Sequence, residues 1–187
     1  MAEPNTNAGD ALPLDAVRGV IASQFEAALA MLEVCIDKCP DDRWDAQPPE
    51  AVAKYPFWQV AYHTLCFVDC YLSRGQDAFE YRTGAGGLHP AGERELREEY
   101  PSRRFERDEL TRYIAICRDK LSDAMAAETP ESLAAPSGFS WLPFSRLELH
   151  LYNLRHLAHH TGQLTAYLRR FGVETKWVRD GRPPGKP

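Results

Sequence analysis

Two histidines one helical turn apart, His156 and His160, have the residue type and spacing to do chemistry. They lie in the run FSRLELHLYNLRHLAHHTGQLTAYLRRF, residues 144–171, which has no proline, one glycine and apolar residues at helical spacing. At about 100° per residue, Leu149, Asn153, His156, Leu157, His160, Leu164, Tyr167, Leu168 and Phe171 share one broad arc. Glu148, Arg155, Arg169 and Arg170 fall outside it. The arc is the face expected to be buried, and His159 lies at its edge.

A buried imidazole with no partner costs about 1–3 kcal/mol. A metal ion removes that cost, because neutral imidazole is a good ligand and i, i+4 spacing brings both rings to one ion. A hydroxyl, carbonyl or water at each ring removes it equally well. The zinc-protease HExxH pattern is excluded, since Leu157 follows His156 where that pattern carries its general-base glutamate.

Other elements must position these residues. A first helix is expected from Leu14 to Cys39, with Asp15 near its start and Val17, Ile21, Phe25, Ala28, Leu32 and Ile36 as its stripe. Pro40 ends it, and the following connection has three prolines and a turn or short helix near Asp41–Trp44. A second helix, Pro56 to Ser73 with Pro56 at its first position, is apolar on most sides. Its middle holds His63, a third histidine in apolar surroundings, on the side of Val60, Phe67 and Tyr71. Tyr62, Tyr71 and Tyr167 read as core filling. Residues 75–103 are rich in glycine and charge, contain a solvated His89 and suggest a lid or rim. A third helix, Arg103 to Glu128, carries Leu110, Tyr113, Ile114, Cys117, Leu121 and Met125. A second connection should fold Phe139, Trp141 and Phe144 back on the bundle. The fourth helix, Phe144 to Phe171, stops at Gly172, and Trp177 and Val178 are expected to pack back. The fold class is therefore all-α, a four-helix bundle with long connections, over residues 13–178 between flexible tails at 1–12 and 179–187.

The composition fits that fold. The chain has 187 residues, 44% hydrophobic and 26% charged, enough for one domain with its own core. Its net charge of −5 argues against a phosphate-binding surface. No run approaches about 18 uninterrupted apolar residues, and the N-terminus is polar, so a cytoplasmic protein without a membrane partner is expected. The five cysteines, Cys35, Cys39, Cys66, Cys70 and Cys117, are an odd set that reads as small buried hydrophobes rather than disulfides or ligands.

Taken together, these features resemble the DinB-like (YfiT-type) superfamily. The resemblance is carried by WQVAYH (Trp58–His63), RHLAHHTGQL (Arg155–Leu164), the four-helix order with a long middle connection, and LRRFGVETKW (Leu168–Trp177). It implies a four-helix bundle with a divalent metal in its core, held by His63, His156 and His160. Zinc, nickel, iron and manganese all accept such ligands. Thr161 stands where the family frequently has arginine, a change expected to concern the outer surface. His159, Gln163 and Asn153 become second-shell candidates, Gln163 and Asn153 for orienting water. Three histidines leave coordination positions open, as in a catalytic site.

Characterised relatives of that superfamily include thiol-dependent transferases and isomerases. The resemblance thus implies a small-molecule substrate or low-molecular-weight thiol and a homodimer, while the charge indicates no nucleic acid partner. The expected function is a metal-dependent S-transferase, isomerase or hydrolase. A non-catalytic metal- or small-ligand-binding bundle is the alternative, and a metal-free bundle with three satisfied histidines is a third reading. The sequence names no substrate and no metal.

Overall fold

Four long apolar stripes become four long helices in the computed structural model, which describes residues 12–46, 55–79 and 103–181. The elements are α1 (Leu14–Lys38), α2 (Asp41–Trp44), α3 (Phe57–Leu72), α4 (Arg107–Ala127), α5 (Pro130–Ala134) and α6 (Arg146–Arg169), with a 3-10 turn at Gln76–Ala78. The described residues contain no strand beyond an isolated bridge between Pro136 and Ser145. Most of the expected lid, including His89, lies outside the described residues.

Local chemistry explains where the helices begin and end. α4 starts at Arg107, four residues later than expected, because Glu106 and Glu109 form a capping box in which Glu109 accepts the Glu106 N–H at 2.9 Å. α6 starts at Arg146 rather than Phe144 because the Ser145 hydroxyl accepts the Glu148 N–H at 3.2 Å. At its far end Gly172 adopts φ +74°. Gly172 N–H then bonds Arg169 O and Val173 N–H bonds Leu168 O, both at 3.1 Å, a Schellman termination. Phe171 therefore lies beyond the helix and out of its phase, and it is exposed under the Arg43 guanidinium. Pro56 caps α3 instead of occupying its first position.

α1 packs on α4 and α6, and α3 packs on the same two helices. The connections from α1 to α3 and from α4 to α6 therefore join diagonal partners, while the longest, from α3 to α4, joins neighbours, a bundle order other than simple up-down-up-down. The core between them holds the stripes read from the sequence, among them Phe25, Leu29, Leu32, Leu65, Leu110, Ile114, Leu149 and Leu157. α1 is long and apolar enough to cross a membrane by length and composition. Here its apolar stripe faces the bundle, and Glu26 and Glu33 on it pair with Arg118 of α4 at 2.9 and 2.8 Å. All five cysteines are buried and free. Burial pushes the Cys70 thiol, with help from Asp69, up to about 12, so it stays protonated.

The lower end of α6 is anchored by a buried polar cluster. The Arg146 guanidinium bonds the Glu128 carboxylate and donates to Ser73 O at 2.8 Å, and His150 meets the same carboxylate at 3.1 Å. Gly138 (φ +85°) presses on the chain at Arg74 and Gly75, where a Cβ would lie 2.6 Å from Arg74 O. The segment after α6 returns along α1, with Lys38 donating to Glu174 O at 2.7 Å and Gly181 N–H to Ser23 O at 2.9 Å. Its Trp177 is nevertheless 76% exposed and does not pack back as expected, whereas Phe139 is buried and Trp141, though 47% exposed, lies edge-on to it with ring centroids 5.3 Å apart.

Candidate metal centre

α3 and α6 lie side by side, and this contact brings His63 against the histidine pair of α6. One ring nitrogen from each of His63, His156 and His160 lies within 4.8 Å of the other two. His63 Nε2 and His156 Nε2 are 3.2 Å apart. Ring centroids are separated by 5.2 Å (63–156), 4.8 Å (63–160) and 4.5 Å (156–160). Phe67, one turn after His63, lies against His63 at 4.8 Å and against His156 at 5.4 Å.

The three rings are half-buried rather than deep in the core. The reason is angular. Leu149, Leu157 and Leu164 take the centre of the buried face of α6, so His156 and His160 flank it in the groove with α3. On α3, Val60, His63 and Phe67 form one half-open side of a largely buried helix. The site is a lined groove open to solvent on one side.

The donor set fits a divalent ion. Tetrahedral coordination with metal–nitrogen bonds of 2.0–2.1 Å places neighbouring ligand nitrogens about 3.4 Å apart, close to the 3.2 Å between His63 and His156. Burial, reinforced by His160, His63 and His159, lowers the His156 pKa to about 3. At neutral pH that ring is the uncharged base a metal requires. Its Nδ1 is buried with no hydrogen-bond partner.

The DinB superfamily model matches residues 24–164, which include all three histidines. This chain belongs to the DinB superfamily. A search of curated proteins finds no match.

The surroundings of the site in this DinB-superfamily chain differ in part from expectation. Gln163 meets two of the imidazoles directly: its side-chain oxygen lies 2.8 Å from His160 Nδ1 and its amide nitrogen 3.3 Å from His159 Nε2. His159 is exposed, with its ring edge-on to His160 at 5.0 Å. Asn153 is fully buried and donates to Val68 O at 3.2 Å, which ties α6 to α3, while its Oδ1 has no hydrogen-bond partner. Thr161 is buried, not on the outer surface, because it lies seven residues before Leu168 on the inward side of α6.

The Glu128–Arg146–His150 cluster was not singled out from the sequence. A signal for His150 was there, since it repeats at seven-residue spacing with Leu157 and Leu164, both buried. Nothing in the sequence marks Glu128 as its partner, because that pairing spans two helices. Burial outweighs the pull of Glu128 and holds the His150 pKa below its ordinary value.

Proposed function

We propose that this DinB-superfamily chain is a metal-dependent enzyme, a thiol-dependent S-transferase or isomerase or else a hydrolase, working from His63, His156 and His160. The observation that carries the proposal is the convergence of three imidazole nitrogens from α3 and α6 within 4.8 Å in a half-open groove. Bound there, a divalent ion supplies a nucleophile at neutral pH by lowering the pKa of a thiol or water.

The chain's own residues support that chemistry in three ways. The three neutral rings leave the ion's double positive charge uncompensated, which favours an anionic partner such as a thiolate. Among the described residues the cluster contains histidines alone, with no carboxylate to neutralise that charge. Phe67 covers one flank of His63 and His156 and limits water there. The three histidines are half-buried on the solvent side of the helices that carry them rather than enclosed in the bundle. That favours a working ion over a structural one, and with it the enzyme over a non-catalytic metal- or ligand-binding bundle. A small-molecule substrate or low-molecular-weight thiol, a homodimer and a cytoplasmic setting belong to the same proposal.

Elemental analysis of untagged protein tests it. About one zinc, nickel, iron or manganese per chain is expected. His63→Ala, His156→Ala and His160→Ala should each fall toward none, while His150→Ala keeps its metal because that ring is bound to Glu128. Equal metal in all four variants overturns the site. A metal-loaded protein that turns over neither thiol-acceptor pairs nor hydrolysable esters and amides moves the function to the binding alternative.

A further inference from the structure

We propose that Gln163 is a positioning residue that sets the tautomer of His160, keeping the proton on Nδ1 and the lone pair on Nε2. The argument lies in the polarity of one amide. Gln163 stands three residues after His160 and four after His159 on α6, so it reaches both rings from the same helix. Its side-chain oxygen carries no hydrogen and can only accept, so at 2.8 Å His160 Nδ1 is the donor. Its amide nitrogen can only donate, so at 3.3 Å His159 Nε2 is the acceptor. The two bonds are mutually consistent and assign a tautomer to each ring.

The consequence reaches the metal centre. A histidine whose Nδ1–H is bonded presents its lone pair at Nε2, and such a bond orients the ring and raises its basicity as a ligand. The reversed amide would take the His159 proton on its oxygen and offer its N–H to His160 Nδ1. The His160 proton would then lie on Nε2, and the ring could not ligate through that atom. Gln163 and His159 thus act as a two-position selector on His160. Its use rests on the proposed metal centre, but the tautomer itself does not.

Long-range proton–nitrogen NMR of the full chain, stripped of metal at about pH 8 and so above the ordinary histidine value of about 6.5, reads the tautomer directly. His160 should carry its proton on Nδ1 in the native sequence. Gln163→Ala, an exposed helical position that tolerates alanine, should shift population to the Nε2–H form. Gln163→Glu, which keeps an acceptor, should restore Nδ1–H. Calorimetric titration with Zn²⁺ should show Gln163→Ala binding about 10-fold more weakly and Gln163→Glu recovering. An unchanged His160 tautomer in Gln163→Ala, or Nε2–H in the native sequence, overturns the assignment. Native tautomer behaviour as described, together with no Zn²⁺ binding by any form, overturns the metal centre and leaves the role of Gln163 standing.

Discussion

At His156, burial and three neighbouring imidazoles push in the same direction, and the ring stays neutral down to about pH 3. An unfolded chain would take up that proton near 6.5. The stability tied to the neutral ring is therefore whole above about 6.5 and is lost as pH falls from there toward about 3. His150 shifts the same way. The melting temperature of the metal-free protein should decline across this window, and His156→Leu should flatten the decline without removing it. Melts at a series of pH values check this, and an unchanged slope in His156→Leu would rule out its contribution. Two glycines make a second residue-scale contrast. Gly138→Ala should cost about 1–3 kcal/mol in urea melts, because φ is +85° and the new Cβ meets Arg74 O. Gly162→Ala, on α6 with open space around it, should instead gain about 0.5–1 kcal/mol.

At the scale of elements, Arg146 does the work of several caps. It donates to Ser73 O beyond the last turn of α3, pairs with Glu128 beyond the end of α4, and sits in the first turn of α6. Burial works against the Glu128 carboxylate, but hydrogen bonds from Ser132 and Arg146 outweigh it and leave its pKa below the usual range. Removing one partner leaves a buried charge without compensation, which typically costs 3–5 kcal/mol. Arg146→Met should therefore lose about 3–5 kcal/mol in urea unfolding. Adding Glu128→Gln should recover part of that loss, since the uncompensated charge is gone. A loss below about 1 kcal/mol, the scale of an exposed pair, would show that the cluster is not an anchor. The cluster bears on the site because it fixes one end of α6, the helix that carries His156 and His160.

For the whole molecule, the apolar core spans all four long helices and the candidate centre lies half-buried at its edge. Apolar contacts among those helices hold the core together, and Phe67 is the core-packed residue that touches His63 and His156. Chelation should therefore leave the helical circular dichroism intact and lower the melting temperature only by the linkage owed to a bound ligand. Loss of the helical signal on chelation would make the ion structural and argue against the enzyme proposal.

Much was legible in the chain itself, because helical periodicity is a local property. The stripes of α1, α3, α4 and α6, the short helix at Asp41–Trp44, the burial of the cysteines and membership of the DinB superfamily all follow from spacing and residue type. So does the i, i+4 pairing of His156 and His160. Packing alone decided the rest. The family resemblance already joined His63 to that pair, but the physical reason is packing, since the diagonal order of the bundle lays α3 beside α6. Glu128 finds His150 and Arg146 across the end of α4 and the start of α6. Asn153 ties two helices together because its side chain reaches a carbonyl on α3. A sequence carries the angular position of each side chain on its own helix. Which neighbour that side chain meets depends on how separate helices bury their apolar faces together, and that is a property of the assembled bundle.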